Sequence, residues 1–418
     1  MVDPKRYTGS SFIAQHRKEP DMKVLIADKL SDKTVSALKA LGMDVAVNPD
    51  LSADDLPGSV HDTDVLVVRS TKVTSKTIES AKKLSLIIRA GAGVNTIDLA
   101  SANTRGIYVS NCPGKNTEAV AELALGLLIA ADRQIVNATY DLRNGMWKKK
   151  TYGKSRGLKG RTLGIIGFGA IGKAVASRAL ALEMEVIGWS KSLSKEIAAA
   201  YGIGFAPDLP SLAKQSDAVS VHVAYKPETN HLIDKKFFDG MKSDAIFVNT
   251  SRGEVVDTPA LIEAIRSKHL RVGLDVFEGE PTGGDAEFAG RELASLVTAT
   301  PHIGASTDQA SEAIADEVVN IVKSYLATGV PLNTVNIRAR SSATQSLVVR
   351  HFNRVGVLAG ILGNLKSNGI NVEEMTNIIF DASKAACCTL LLDSAPSPDV
   401  IAEMSKDESV IEIALKPF

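Results

Sequence analysis

The chain has 418 residues, with 48 basic and 48 acidic side chains and a formal net charge of zero. Its length predicts two or three domains, because single cores stop growing well before this size. The balanced charge excludes electrostatic attraction to nucleic acid. The three cysteines lack metal-ligand spacing, so they predict neither a disulfide framework nor a metal site. We expect a cytoplasmic protein that does not enter a membrane, with a polar arm over residues 1–21.

Residues 22–111 alternate short apolar runs with amphipathic segments. The runs are rich in branched side chains, as in KVLIAD, DVLVVRS and GIYVSN. Strands of this kind separated by helices predict a parallel sheet that is covered on both faces. We therefore expect an α/β domain over residues 22–111.

A second series of the same kind occupies residues 112–302. It begins with one long helical segment, NTEAVAELALGLLIAADRQIVNATYDLRNG, and continues through TLGIIGFGAIG, EVIGWS, AIFVNTS and RVGLDVF. A later helix, over about 308–327, is expected to return to the first domain, which then also includes residues 303–336. The pattern predicts two Rossmann-like, doubly wound parallel-sheet domains, the second inserted in the first.

The C-terminal region has a different order of elements. A small, polar linker over residues 337–345 leads to residues 346–418, where the pattern indicates strand, helix, two strands in a hairpin, helix and strand. The order βαββαβ predicts a ferredoxin-like domain.

One glycine motif follows an apolar strand and opens a helix. Gly167, Gly169 and Gly172 have the spacing of a dinucleotide fingerprint, with Ala170 and Ile171 inside it. Such a pattern also occurs in plain structural turns, but a strand before it and a helix after it favour a pyrophosphate site at the helix N-terminus. The motif predicts a bound nicotinamide dinucleotide.

The position about twenty residues later decides which dinucleotide is favoured. An acidic residue there usually accepts the ribose hydroxyls, but this chain has Ser190 followed by Lys191. Either a strand end simply tolerates serine, or the missing carboxylate leaves room for a 2′-phosphate. We expect NAD, with NADP possible.

Three later segments end where parallel strands converge, and they contain an arginine, an acid and a histidine. Taken singly, Arg252, Glu280 and His302 each have a plain structural explanation. Jointly they fit hydride transfer: the guanidinium holds a substrate carboxylate, the imidazole removes an alcohol proton and the acid orients the imidazole. Spacing does not choose between Glu278 and Glu280.

Residues 22–336 resemble the D-isomer-specific 2-hydroxyacid dehydrogenase family through RAGAGVNTIDL, GIIGFGAIG, NTSRGEVVD, GLDVFEGEP and TPHIGAST. The resemblance implies catalytic Arg252, Glu280 and His302, with Asp275 facing the nicotinamide carboxamide. VVRSTKVT is similar to members that oxidise D-3-phosphoglycerate to 3-phosphohydroxypyruvate, the first step of L-serine synthesis, and implies that Arg69 reaches the phosphorylated substrate. An exposed cation at a strand end is the alternative for Arg69.

Two other functions stay open beside this expectation. One is glyoxylate or hydroxypyruvate reduction, or another D-2-hydroxyacid oxidation, by a member of the same family. The other, from a different class, is a non-catalytic NAD(H)-sensing binding protein. The presence of all three of Arg252, Glu280 and His302 favours an enzyme.

The C-terminal region resembles the ACT domain, a regulatory module that binds amino acids, although Asn353 and Val355 replace the usual Asp and Pro of its loop. Similarity to serine-regulated members implies that His351, Asn353 and Asn371 contact L-serine. Helix capping and a turn are the plain alternatives for the two asparagines.

We also expect a homo-oligomer, a dimer or tetramer, because a long amphipathic helix and a free sheet edge favour association.

Overall fold

The computed structural model describes residues 22–281, 286–338 and 341–418. The expected polar arm over residues 1–21 and part of the expected linker lie outside the described residues. The chain divides into two compact units, the first ending at Asn336 and the second beginning at Ile337. None of the helices in the described residues is long and apolar enough to cross a membrane.

The first unit begins with a five-stranded parallel sheet in the order β2-β1-β3-β4-β5. Its strands are β1 (Lys23–Ile26), β2 (Asp44–Val47), β3 (Val65–Val68), β4 (Leu86–Arg89) and β5 (Tyr108–Asn111). The helices between them are α1 (Asp32–Ala40), α2 (Leu56–Ser59), α3 (Ser75–Ser80) and α4 (Leu99–Thr104). All or nearly all residues of β3 and β4 are apolar and buried. This burial indicates that helices cover both faces of the sheet.

A seven-stranded parallel sheet follows in the order β12-β11-β10-β9-β6-β7-β8. Its strands are β6 (Thr162–Ile166), β7 (Glu185–Trp189), β8 (Gly204–Phe205), β9 (Ala218–Val221), β10 (Ile246–Asn249), β11 (Arg271–Leu274) and β12 (Thr298–Ala299). Its helices are α5 (Thr117–Arg133), α6 (Ile135–Arg143), α7 (Lys149–Tyr152), α8 (Ala170–Ala181), α9 (Lys195–Ala200), α10 (Leu209–Gln215), α11 (Lys235–Gly240), α12 (Thr258–Lys268) and α13 (Arg291–Leu296). The strand order reverses between β6 and β9, which is where open α/β sheets bind ligands.

The single long helix expected at the start of the second series is wrong, because the helix breaks at Gln134. That residue has φ of 52°, in the left-handed region, so α5 ends there and α6 begins in a new direction. Burial gives the physical reason. Nine residues of α5 are buried, most of them in the core of the second sheet, whereas α6 has no buried residue.

The last helix of the unit, α14 (Asp308–Thr328), packs on the first sheet. Its apolar residues Ile314, Val318 and Ile321 share a core with β1, β3 and β4. Beyond it, the side-chain oxygen of Asn336 accepts a hydrogen bond from the backbone of Val109 in β5, at 2.8 Å. The chain thus leaves the first sheet, forms the second sheet and returns.

The second unit has a four-stranded antiparallel sheet in the order β14-β15-β13-β16. Its elements are β13 (Gln345–Phe352), α15 (Val357–Ser367), β14 (Val372–Ile379), β15 (Ala385–Leu392), α16 (Pro398–Met404) and β16 (Val410–Pro417). Alternate residues of β15 are buried beneath the two helices, as expected when one face of an antiparallel sheet is covered. The predicted fold class, two Rossmann-like parallel sheets followed by a βαββαβ unit, is confirmed.

Candidate active site

The glycine loop lies between β6 and α8 at the reversal point of the second sheet. Gly167 has φ of 98°, and a Cβ on it would lie 2.5 Å from the carbonyl oxygen of His222. A Cβ on Gly172 would lie 2.1 Å from the carbonyl oxygen of Gly167, whereas one on Gly169 meets nothing within 4 Å. Ala170 and Ile171 form the first turn of α8, whose free N–H groups favour an anion. The loop therefore fits a pyrophosphate over Gly169.

Ser190 follows β7 directly, beside the glycine loop. The N–H of Gly167 donates to the carbonyl of Trp189, the residue before Ser190, at 2.8 Å. Lys191 is exposed next to it. Among the described residues, this strand end therefore offers a hydroxyl and a cation to a ribose, and no carboxylate.

His302 and Glu280 form a hydrogen-bonded pair through Nδ1 of the imidazole and Oε1 of the carboxylate. An ionised carboxylate only accepts hydrogen bonds, so Nδ1 carries the proton and Nε2 has a free lone pair. Burial alone would raise the pKa of Glu280, but the hydrogen bond from His302, the N–H of Phe277 and the charge of Arg252 lower it below its usual range. The pair thus combines an ionised acid with an imidazole that can accept a proton.

The two acids that sequence spacing left open occupy different positions. Glu278 contacts His231, with 2.6 Å between Oε1 and Nε2, and does not pair with His302. Glu280 contacts His302. The geometry therefore supports Glu280 as the orienting acid.

Asp275 holds the loop that carries His302. Its carboxylate accepts hydrogen bonds from the hydroxyl of Thr300 at 2.6 Å and from the N–H groups of Ile303 and Gly304, both at 2.8 Å. His302 itself has φ of 51°, an unfavourable region for a side chain of this size. The bonds to Asp275 stabilise that conformation. Contact between Asp275 and a nicotinamide carboxamide stays a prediction.

Arg252 lies in the turn after β10. Asn249, the last residue of β10, shapes the turn by accepting from Ser251 and donating to the carbonyl of Arg252 at 2.8 Å. A Cβ on Gly253 would lie 2.0 Å from the backbone of Phe277, so the turn packs directly on the segment that leads to Glu280. Burial lowers the pKa of Arg252, although the charges of Glu280 and Glu254 oppose that effect.

A third arginine, which the sequence analysis did not single out, lies near Arg252 and Arg69. Arg89 ends β4, and its strand partner Val68 immediately precedes Arg69 at the end of β3. Burial, then the positive charges of Arg252 and Arg69, lower the pKa of Arg89 to about 10. We call Arg69, Arg89 and Arg252 the arginine cluster. The sequence signal was present in RAGAG, where an arginine at a strand end precedes two glycines.

The three effector candidates of the second unit do not converge within one chain. Asn353 lies beside Lys384, its N–H donating to that carbonyl at 3.0 Å, and Asn371 lies beside Asp393. Lys384 and Asp393 flank opposite ends of β15, so the asparagines are roughly 25–30 Å apart at the usual rise of a strand. His351, on the Asn353 side, is buried and contacts the carbonyl of Phe352 at 2.8 Å.

The capping alternative fails for Asn353, whereas Asn371 lies in the short connection between α15 and β14, as the turn alternative expects. Gly356, not Asn353, is the N-cap residue of α15, and the amide of Asn353 donates to the carbonyl of Ser383 at 3.1 Å. The amide of Asn371 donates to Glu373 at 3.1 Å, and Asn371 lines an open groove of about 390 Å³ that also includes Lys366.

Comparison with known proteins gives the class. Residues 125–304 match the family model described as D-isomer specific 2-hydroxyacid dehydrogenase, NAD binding domain. A hydroxypyruvate reductase of Thermotoga maritima is 44% identical over 274 residues, which are 64% of this chain and 87% of the relative. The chain belongs to the D-isomer-specific 2-hydroxyacid dehydrogenase family.

Two further relatives bear on the function within that family. A D-3-phosphoglycerate dehydrogenase of Methanocaldococcus jannaschii is 40% identical over 320 residues, which are 76% of this chain, and the matched part is 60% of the relative's length. The crystal structure of the TT0316 protein from Thermus thermophilus matches with a TM-score of 0.67 and 35% identity, covering 75% of this chain and 100% of that one.

Proposed function

We propose that this chain oxidises D-3-phosphoglycerate to 3-phosphohydroxypyruvate with a nicotinamide dinucleotide. The observation that carries the reaction type is the His302–Glu280 pair beside Arg252, on loops that follow neighbouring parallel strands. Two features support the phosphorylated substrate: the similarity to a D-3-phosphoglycerate dehydrogenase and the presence of Arg69 near Arg252 and Arg89.

Each residue has a separate role in this proposal. Arg252 binds the substrate carboxylate and fixes the C2 hydroxyl near the imidazole. His302 accepts the hydroxyl proton at Nε2, and Glu280 stabilises the resulting imidazolium through Nδ1. When bound over Gly169, the nicotinamide cofactor supplies the acceptor for the hydride that leaves C2. The proton and the hydride together balance the oxidation of the alcohol to a ketone.

Turnover with D-3-phosphoglycerate tests the proposal. We expect the purified chain to reduce NAD when D-3-phosphoglycerate is added, and the His302→Gln variant to be nearly inactive. If the wild type turns over D-3-phosphoglycerate with neither NAD nor NADP, the phosphoglycerate function is refuted.

Hydroxypyruvate reduction is the second candidate, because the Thermotoga maritima relative bears that name. It uses the same His302, Glu280 and Arg252, with the proton moving from His302 to the substrate. Only the phosphate-binding residues distinguish the two functions. A chain that reduces hydroxypyruvate fast and leaves D-3-phosphoglycerate unchanged would favour this second function.

We propose that the second unit binds L-serine between two copies of the chain. Within one copy, Asn353 and Asn371 lie at opposite ends of the sheet, so a single serine does not reach both. A second copy in antiparallel orientation can place its Asn371 opposite Asn353. His351 lies at the Asn353 end of the sheet, with Nδ1 2.8 Å from the carbonyl of Phe352 and Nε2 3.3 Å from Oδ1 of Asn377.

Two apolar surfaces support a homo-oligomer, a dimer or tetramer. In the first unit, α6 and the segment after it expose Tyr140, Leu142 and Trp147, the last with 80% of its surface accessible. In the second unit, the edge strand β14 exposes Met375 and Ile378 next to its unpaired backbone groups. We propose a second copy of the chain as the partner of both surfaces. A monomer in sedimentation velocity at micromolar concentration would contradict this proposal.

A further inference from the structure

Arg89 holds a charge that the protein itself does not neutralise. Its guanidinium makes no hydrogen bond or ion pair with any of the described residues, and its Nε is fully enclosed. Arg161 shows the contrast: it is also buried, but its guanidinium pairs with the carboxylate of Asp132 at 2.9 Å. An enclosed polar group without a partner is costly, so it calls for an explanation.

The backbone after β4 is built to make room for this side chain. A Cβ on Gly91, which has φ of 156°, would lie 1.6 Å from Nη1 of Arg89. A Cβ on Gly93 would lie 2.3 Å from Nη2 of Arg252. The two glycines of RAGAG therefore leave space for two guanidinium groups, one from each sheet of the first unit.

The surroundings of Arg89 oppose its charge. Burial and the positive charges of Arg252 and Arg69 lower the pKa of Arg89 by more than the contributions of Cys112 and Asp28 raise it. The Asp28 carboxylate accepts backbone hydrogen bonds from Arg69 at 2.6 Å and Thr71 at 3.2 Å. Three cations gathered without a carboxylate partner for Arg89 form a site for an anion with several charges.

We propose that Arg89 binds the phosphoryl group of the substrate together with Arg69, and that it is the residue that selects phosphorylated over unphosphorylated 2-hydroxyacids. This inference rests on the proposed function and deepens it. A carboxylate and a fully ionised phosphoryl group carry three negative charges, which match the three guanidinium charges of the arginine cluster. Glyoxylate and hydroxypyruvate carry one negative charge, which leaves Arg89 unpaired.

The test compares Arg89→Met with the wild type, because methionine fills much of the same space without the charge. We expect kcat/KM for 3-phosphohydroxypyruvate to fall by about 10²-fold, the effect of losing a charge-assisted hydrogen bond in an enclosed site. We expect kcat/KM for hydroxypyruvate to change by less than about 3-fold, because hydroxypyruvate has no phosphoryl group for Arg89 to contact. The preference for the phosphorylated substrate therefore falls.

Two further variants distinguish the loss of the Arg89 charge from a general effect of replacing an arginine. Arg89→Lys keeps the charge and loses the planar fork, so we expect it to lose about 10-fold in the same ratio. Arg105→Met is the matched control, because Arg105 is exposed and bonds only the carbonyls of Glu79 and Ala81. It should keep the ratio of the wild type.

Thermal melting distinguishes a ligand-binding role from a structural one. Removing an unpaired charge should leave the melting temperature of Arg89→Met equal to or higher than that of the wild type. Inorganic phosphate should raise the melting temperature of the wild type and have a smaller effect on Arg89→Met. A lower melting temperature together with an unchanged substrate ratio would overturn the inference and make Arg89 a structural residue.

The outcomes separate this inference from the proposed function. If the wild type oxidises D-3-phosphoglycerate and Arg89→Met retains the full preference for the phosphorylated substrate, the role of Arg89 is wrong and the function stands. If the wild type oxidises D-3-phosphoglycerate without any preference over the unphosphorylated acid, the inference about Arg89 fails; if it does not oxidise D-3-phosphoglycerate at all, the proposed function fails as well.

Discussion

The first unit assembles its candidate site within one chain, whereas the second unit separates its candidate residues. In the first unit, Glu280 contacts His302, and Gly93 brings the first sheet against Arg252. In the second unit, Asn353 and Asn371 lie at opposite ends of the sheet. The difference arises from topology. The carboxyl ends of parallel strands meet at one edge of a sheet, but the connections of an antiparallel sheet alternate between its two ends.

Under these proposals, catalysis needs one copy of the chain and regulation by serine needs two. A site formed by loops at one sheet edge is complete in each copy. A site whose residues lie at both ends of a sheet is complete only when a second copy supplies the other end. Catalytic variants should therefore leave serine binding intact, and effector variants should leave catalysis intact.

The largest expected effect concerns the catalytic pair. His302→Gln removes the base and should lower kcat by roughly 10²-fold or more, the usual range for a lost general base. Serine binding by this variant, measured by calorimetry, should match the wild type. The control is His61→Gln, because His61 is exposed and contacts only the carbonyl of Ser80. A kcat within a few-fold of the wild type would remove His302 from the mechanism.

The next effect concerns inhibition by serine. We expect millimolar L-serine to inhibit the wild type by several-fold to hundred-fold, the range of typical coupling free energies of about 1 to 3 kcal/mol. Asn353→Ala should abolish the inhibition and keep the uninhibited kcat, and so should Asn371→Ala. Ser405→Ala, a change in the exposed end of α16, is the control. If serine alters neither the rate nor the melting temperature of the wild type, the second unit is not a serine sensor.

A smaller effect concerns the dinucleotide. Because Ser190 leaves the ribose without a carboxylate partner, we expect substantial activity with both NAD and NADP. Ser190→Asp should lower kcat/KM for NADP by about 10-fold or more through repulsion of the 2′-phosphate, and keep or improve the value for NAD. A wild-type preference for NAD beyond about 10³-fold would contradict this account of Ser190.

The smallest effect concerns the stability of the nucleotide-binding sheet. Burial lowers the pKa of His222 to about 3, and its enclosed Nδ1 has no partner among the described residues. Between pH 6.5 and 3 the unfolded chain therefore binds a proton that the folded chain does not, so stability falls as the pH falls. Although Nδ1 is enclosed, another part of the residue reaches solvent, so we expect a loss of only about 1 kcal/mol from pH 7 to pH 5.

The variant His222→Gln checks this assignment. Glutamine can keep the hydrogen bond that Nε2 of His222 makes to Ser220 at 2.8 Å, but it does not titrate. The free energy of unfolding of this variant should depend less on pH between 7 and 5. An unchanged pH dependence would assign the effect to other groups.

The sequence was sufficient to predict both parallel sheets, because their strands are continuous apolar runs separated by helical periodicity. It was not sufficient to predict the break at Gln134, since neither glycine nor proline marks the left-handed residue there. It identified Arg252, Glu280 and His302 as candidates but did not choose between Glu278 and Glu280, a choice that depends on which acid reaches which histidine. Arg89 was missed because an arginine at a strand end is distinctive only when the surrounding charges are known.

The preference between phosphorylated and unphosphorylated substrates tests the central claim most directly. The measurement is the ratio of kcat/KM for 3-phosphohydroxypyruvate to kcat/KM for hydroxypyruvate, at one ionic strength and with saturating reduced cofactor. A cluster of three guanidinium groups, two of them contacting the phosphoryl group, predicts a ratio of about 10³ or more. A ratio near one, or a preference for hydroxypyruvate, would contradict the account and indicate a reductase of small unphosphorylated acids.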